Sequence, residues 1–362
     1  MVQAVPHAVT SDVDMAPLRT ASALPARYYF GEQTLELERR AVFARSWQLL
    51  AHRAQLAEPG DHVVDDIAGT PVLLLRGRDG VLRAFVNVCR HRAGPLATCN
   101  GQGLHTLRCR YHGWLYDQQG RLVAAPEMQA AEGFRTEDVR LPELAVREWE
   151  GLVFVALRDD IPPFDEVYEG IVERIAPVRI ADLAFVRRDV FDVACNWKTY
   201  VDNFLEGYHL PLVHPALAQV LDYRAYDVDL CTWYSVQHSP VRNDAARAYG
   251  DGNAHYFFIF PNIMLNVMPG RLCSNRVVAL GPDRCRVEFD YFYLRTPEAQ
   301  ARIESDRTAT DEIQHQDMAI CEAVQRGLES GFYEAGRLSP KREGGVWHFH
   351  QHLRAAYAER CG

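Results

Sequence analysis

Two short residue pairs carry the strongest chemical signal in the sequence: Cys89-x-His91 and, after seventeen intervening residues, Cys109-x-x-His112. A thiolate and an imidazole so close in sequence fit on one tight loop, and two such loops can converge on one metal centre. Structural zinc is the simpler reading, but zinc sites usually pair Cys with Cys and His with His. Mixed halves suit a [2Fe–2S] cluster with one iron held by both Cys and the other by both His.

A second constellation lies in residues 196–215, NWKTYVDNFLEGYHLPLVHP, which is too polar for a purely structural helix. Glu206 and His209 are three residues apart and share a helical face, while His214 follows beyond Pro211, which distorts or ends a helix. Two imidazoles with a nearby acid can face one ion. A facial-triad iron site also needs a carboxylate from elsewhere, and it leaves coordination positions open for O2. The residues alone leave that carboxylate open.

Gly94-Pro95-Leu96 follows the first Cys/His pair and Gly113-Trp114 the second. With these the chain resembles, over most of its length, the Rieske oxygenases, the large subunits of ring-hydroxylating and related non-haem iron oxygenases. The resemblance implies a 2Fe-2S Rieske cluster on Cys89, His91, Cys109 and His112. It also implies a mononuclear Fe(II) on His209, His214 and Asp317, because DEIQHQDMAICEAVQRGL resembles the family segment in which an Asp precedes a Cys-Glu-x-x-Gln-x-Gly run. Asp311 and Glu312 compete for that role, although both also suit helix N-terminal charge complementing the macrodipole. His315 has no family counterpart and is expected to face solvent; Cys99 matches no ligand and reads as a packed thiol. In the family, the acid three residues before the first iron His bridges to a Rieske His of a neighbouring subunit. That assigns Glu206 to face His112 or His91 of the next chain and implies an oligomer, by resemblance a homotrimer without a small subunit. Asn203 is expected beside the iron, with Asp202 a competitor for the bridging or neighbouring role.

The implied activity is that of a terminal oxygenase. Gly101-Gln-Gly103 lacks a third glycine, position 106 being Thr, so the dinucleotide fingerprint is absent. Electrons from NAD(P)H are therefore expected through a separate ferredoxin or flavin reductase. Glu206 in place of the more frequent Asp, the Gly207-Tyr208 spacing and the C-terminal GRLSPKREGGVWHFHQHL look like oxygenases acting on choline- or betaine-type substrates. Hydroxylation or N-demethylation of a small, quaternary ammonium substrate is thus the expected reaction. Tyr200, Phe204, Tyr208, Trp233, Tyr234, Tyr256, Phe257, Phe258 and Phe260 supply rings for a cation–π cage, although strand aromatics mostly fill cores. Tyr256, Phe258 and Phe260 face one side of a strand and Phe257 the other, so one set at most lines a pocket. Asn262, Asn266 and Arg276 are candidate polar contacts. An aromatic ring-hydroxylating dioxygenase uses the same iron kit and is the alternative. A soluble Rieske electron carrier is the alternative of another class; it leaves the second His/His/Asp set without purpose. Rieske proteins of respiratory complexes typically add disulfide cysteines and a membrane anchor, and neither pattern is found here.

The elements that must position these residues divide the 362-residue chain in two. Residues 1–46 read as an N-terminal arm with a short helix over 32–46. Residues 47–160 read as an all-β domain of short strands, with Arg78-Asp79-Gly80 and Gln118-Gln119-Gly120 as hairpin turns. Ile161-Pro162-Pro163-Phe164 marks a boundary, and residues 161–362 read as a catalytic domain whose strands mix with helices at about 197–222 and 298–329. The class is α+β, the second domain an antiparallel sheet with helices, helix-grip-like by resemblance. The chain is 48% apolar and 24% charged, an ordinary globular balance, and 39 basic against 48 acidic residues leave −9. That disfavours nucleic-acid binding. No apolar run approaches a membrane span, so a cytoplasmic protein with nine reduced cysteines is expected.

Overall fold

A computed structural model describes residues 16–220, 223–240 and 253–358. The first fifteen residues of the expected arm, positions 221–222 and Cys361 lie outside the described residues. Phe43–Pro162 form one compact unit; the described residues up to Val42 and from Pro163 onward form the other.

In the first unit, short strands follow one another as β1 (Gln48–His52), β2 (His62–Ile67), β3 (Thr70–Arg76), β4 (Leu82–Val86), β5 (Leu107–Arg108), β6 (Leu115–Tyr116), β7 (Leu122–Ala124), β8 (Glu143–Trp149) and β9 (Leu152–Ala156). Six form an antiparallel sheet in the order β1-β9-β8-β4-β3-β2, and β5-β6-β7 form a smaller one. Both expected hairpin turns are present: Gly80 N–H donates to Gly77 O at 2.9 Å, and Gly120 N–H to Asp117 O at 3.0 Å. Strand alternation divides β3 between two cores. Val72 and Leu74 pack with Val63, Ala84, Val153 and Val155, whereas Leu73 and Leu75 join Phe85, Leu107 and Tyr116 around Cys89 and Cys109. The sheet therefore backs the two Cys/His loops with a cluster of buried apolar side chains.

The second unit contains α1 (Glu32–Ala41) and seven antiparallel strands, β10 (Ala184–Val193), β11 (Asp227–Leu230), β12 (Tyr234–Pro240), β13 (Asn253–Ile259), β14 (Ile263–Met268), β15 (Arg271–Ala279) and β16 (Cys285–Tyr293). From β11 to β16 the strands meander in sequence order, and β10 adds to the outer side of β16. Residues 16–42, expected as part of a separate arm and helix, belong to this unit. They are tied in by Glu38, which accepts from Lys198 Nζ, from Trp197 Nε1 at 2.8 Å and from Tyr357 Oη at 2.7 Å, all out of solvent.

The helix expected at about 197–222 is broken into α2 (Trp197–Phe204), α3 (Leu210–Val213) and α4 (Leu217–Val220). Asn196 caps α2 by accepting the Lys198 N–H. Pro211 sits in the first turn of α3, where its missing N–H has no intrahelical partner to lose. The expected second helix is a 33-residue α5 (Pro297–Glu329), capped by Thr296 with Pro297 at its first position. Then α6 (Gly344–Ala358) ends the described chain. No helix among the described residues is long and apolar enough to cross a membrane.

Candidate metal centres and cavity

The two Cys/His loops share one backbone pattern. Ala93 N–H donates to Cys89 O and Gly113 N–H to Cys109 O, both at 3.0 Å; Cys89 N–H donates to Gly94 O and Cys109 N–H to Trp114 O, at 2.8 and 2.9 Å. Each loop thus closes over five residues, and the residue four after the cysteine has positive φ: Gly113 at 78°, where glycine is unstrained, and Ala93 at 56°. The cysteines are 2% exposed, at the base. The imidazoles of His91 and His112 lie above, ring centroids 4.6 Å apart, with His91 stacked on Trp114 at 4.8 Å.

Four observations fit an iron–sulfur cluster on these loops. His91 Nδ1 is buried without a hydrogen-bond partner. Desolvation, reinforced by His91, holds His112 below its ordinary pKa, in the neutral form a metal needs. Tyr116 Oη accepts the Arg90 N–H at 3.0 Å, which leaves its own proton for Cys89 Sγ at 3.3 Å; donors to ligand sulfur are a means of tuning cluster potential. No three donor atoms of this set gather within 4.8 Å, a spread that suits two metal ions better than one zinc.

The second set is tighter. His209, His214 and Asp317 offer donor atoms that all lie within 4.8 Å of one another, and no other such group occurs among the described residues. The two histidines bracket α3, His209 as N-cap and His214 as C-cap, so a single helical turn spaces their rings 5.0 Å apart. Asp317 comes from the middle of α5. His214 Nε2 lies 2.9 Å and His209 Nε2 3.8 Å from Asp317 Oδ1. The far nitrogens are held as well: His209 Nδ1 by Glu206 Oε1 and His214 Nδ1 by Gln316 Oε1, each at 2.7 Å. These acceptors fix both rings with Nε2 toward the carboxylate, the orientation a metal-binding imidazole requires. Asn203 Nδ2 donates to Asp317 Oδ1 at 2.7 Å. The donor set, two imidazoles and one carboxylate, fits ferrous iron with open positions. Burial would lower the His214 pKa, but Asp317, Gln316 and Glu206 outweigh it and the net direction is up.

Glu206 follows the end of α2 rather than lying in a helix that continues through His209. Its Oε2 accepts the backbone N–H of Tyr208 and of His209. Gly207 makes the turn possible, since a Cβ there would lie 2.8 Å from the ring of Tyr226. Asp202 points elsewhere, to Tyr29 and His350. Asp311 pairs with Arg307, Glu312 is exposed beside Gln316, and His315 is exposed as expected. Cys99, expected to be packed, is exposed: Leu96 turns inward from this loop and Cys99 outward.

A cavity of about 170 Å3 opens beside the His209/His214/Asp317 group. Of the aromatics singled out by sequence, Tyr200, Phe204 and Tyr256 line it; Tyr226, Phe289, Tyr291 and Tyr293 line it too and were not singled out. The last three fall at alternate positions of β16, so strand periodicity was the available signal. Tyr208 is exposed, Trp233 donates to Glu166, Tyr234 donates to Glu169 O, and Phe258 and Phe260 pack on Phe349 of α6. Phe257, on the opposite strand face, is core. Asn266 lines the cavity, whereas Asn262 donates to Val277 O and Arg276 pairs with Glu288, both away from it. Arg271, the one Lys or Arg among the described lining residues, is ion-paired with Asp306.

Family models match on both halves: Rieske [2Fe-2S] domain over residues 46–144, and ring hydroxylating alpha subunit (catalytic domain) over residues 180–359. The chain is 32% identical over 351 residues to choline monooxygenase, chloroplastic, of Arabidopsis thaliana, covering 92% of this chain and 82% of that protein. It is 29% identical to the carnitine monooxygenase oxygenase subunit of Acinetobacter baumannii, covering 93% and 95%. Among solved structures, the quaternary ammonium Rieske monooxygenase CntA in complex with an inhibitor superposes with a TM-score of 0.84 at 27% identity, covering 99% of this chain and all of that one.

Proposed function

The chain belongs to the family of ring-hydroxylating oxygenase alpha subunits that carry a Rieske domain, and we propose that it hydroxylates or N-demethylates a small quaternary ammonium compound. The observation that carries this reading is the cavity: tyrosine and phenylalanine rings surround a space beside His209, His214 and Asp317, and its Arg271 is neutralised by Asp306. Ring faces attract a cation that has no hydrogen to donate, and no uncompensated Lys or Arg among the described lining residues repels it. Choline and carnitine, named for the relatives, share that cationic head.

On this reading residues 47–160 carry the electron-transfer centre on Cys89, His91, Cys109 and His112. Residues 161–362 carry the catalytic iron on His209, His214 and Asp317, and residues 1–46 precede both. The bound groups supply one-electron transfer and O2 activation. The protein's own part is positional: Glu206 and Gln316 hold the imidazoles as Nδ1–H tautomers, Asn203 holds the carboxylate, and the aromatic wall presents a methyl group while keeping bulk water out. Electrons reach the cluster from a separate NAD(P)H-dependent ferredoxin or flavin reductase. We assign a cytoplasmic homotrimer, in which Glu206 faces a Rieske imidazole of the next subunit. Glu206 Oε1 has His209 Nδ1 as a partner and retains a further lone pair for such a bond.

Calorimetric titration tests the substrate class. Choline is expected to bind more tightly than its neutral isostere 3,3-dimethylbutan-1-ol, and Tyr256→Leu is expected to weaken choline by about 2- to 30-fold while leaving the isostere nearly unaffected. Equal binding of the two ligands would remove the cation-selective cavity from the account.

A further inference from the structure

Asp202, the residue before Asn203, is held by two donors. Tyr29 Oη donates to its Oδ2 at 2.6 Å, and His350 Nε2 lies 2.9 Å from its Oδ1. His350, on α6, is completely buried, and its Nδ1 faces the backbone N–H of Leu24 at 3.1 Å. A backbone amide can only donate. Nδ1 is therefore unprotonated, and the single ring proton sits on Nε2, which faces Asp202 Oδ1 at 2.9 Å and Tyr29 Oη at 3.1 Å. An imidazolium would set two N–H groups against each other at Leu24.

Successive residues on a helix project about 100° apart, so a clamp on Asp202 fixes the rotation of α2 and with it the direction of Asn203. Asn203 in turn donates to Asp317 Oδ1, the same oxygen that faces His214 Nε2. The clamp also shares a wall with the site: Asp202, His350, Asn203, Glu206 and His209 line one cavity of about 500 Å3, separate from the aromatic one.

We propose that His350, as the neutral Nε2–H tautomer, is a positioning residue for the iron site, acting through Asp202 and α2 on Asn203 and Asp317. The proposal rests on the reading of His209, His214 and Asp317 as metal ligands. It joins the last helix of the described residues to the carboxylate of Asp317 through two hydrogen bonds, His350–Asp202 and Asn203–Asp317, with the backbone of α2 between them.

The test compares His350→Gln, His350→Asn and His350→Ala in the full chain with its cluster intact. Glutamine places an N–H donor where Nε2 was and keeps the bond to Asp202; asparagine restores only the acceptor toward Leu24. Co2+ affinity at the mononuclear site is expected to fall about 10- to 100-fold in the Ala and Asn variants and to return to within about 3-fold in the Gln variant, the scale of losses seen when groups that orient metal ligands are removed. Before metal is added, 15N spectra of the parent labelled at histidine are expected to show His350 protonated at Nε2 alone at pH 7. Far-UV circular dichroism and a thermal unfolding transition matching the parent's identify variants whose second unit, which holds His350, has folded. A His350 signal of the Nδ1–H tautomer or of imidazolium, or equal Co2+ affinity in the Gln and Asn variants, would overturn the proposal. Asp317→Ala serves as the control: if it retains full Co2+ affinity, the ligand assignment fails rather than the role of His350.

Discussion

Glu206→Gln probes the mononuclear site at its most informative point. In the parent, Oε1 accepts the His209 Nδ1–H at 2.7 Å while Oε2 accepts backbone N–H groups of Tyr208 and His209. Every group facing the carboxylate is a donor. An amide in its place must turn an NH2 toward one set: toward two backbone N–H groups, or toward the imidazole, where it forces the other tautomer and puts the proton on the nitrogen that should bind metal. Either way at least one hydrogen bond to a charged acceptor is lost, worth about 1.5–3 kcal/mol. At about 1.4 kcal/mol per factor of ten, ferrous affinity should drop roughly 10- to 100-fold. Anaerobic Fe(II) titration of protein with a complete cluster measures this directly, and single-turnover reoxidation of the reduced cluster at saturating iron should also slow. Affinity within about threefold of the parent, together with an unchanged reoxidation rate, would refute the assignment of Glu206 as both orienter of His209 and link to the electron donor.

Two predictions concern stability. Lys198→Met leaves Glu38 buried without its charge partner and should cost about 3–5 kcal/mol in urea unfolding, toward the lower end because Trp197 and Tyr357 still donate to it; a loss below 1 kcal/mol would mean the pair is not buried in solution. Burial, reinforced by His348, pushes His352 from 6.5 down to about 4. The folded state therefore binds this proton less readily than the unfolded chain, so its contribution is intact above pH 6.5 and is lost as pH falls toward 4. By linkage the loss reaches about 2 kcal/mol at pH 5, and His352→Phe, which keeps an aromatic ring beside Trp233 and Phe260, should flatten that part of the stability profile. An unaltered profile would contradict the depressed value.

The parts of the site legible in the sequence are those whose chemistry is local. The spacing of Cys89, His91, Cys109 and His112 points to a mixed-ligand centre because two tight loops keep residues that are neighbours in sequence close in space. His209 and His214 are similarly close, yet the structure reaches them through a broken helix: the turn at 205–209 depends on Gly207 packing against Tyr226, a tertiary contact that periodicity does not contain. Asp317 lies 103 residues after His214, and only resemblance singled it out from Asp311 and Glu312. Gln316 was missed because an amide beside a carboxylate on a polar helix has no signature of its own. The clamp of Tyr29, Asp202 and His350 spans 321 residues between its ends, so nothing short of the packed structure could bring it together. For the cavity, the sequence singles out Tyr200, Phe204 and Tyr256 but not Phe289, Tyr291 and Tyr293, since a ring facing a core and a ring facing a substrate share the same strand alternation.

Product analysis in a single turnover distinguishes oxidation of a quaternary amine from dihydroxylation of an aromatic ring. Iron-loaded protein with a chemically reduced cluster would be exposed to 18O2 with choline, carnitine, glycine betaine and benzoate in turn, and each product examined by mass spectrometry. Oxidation of a quaternary amine is expected, with one labelled oxygen in its immediate product and none in benzoate. A doubly labelled dihydrodiol from benzoate, with the quaternary amines returned unchanged, would contradict it.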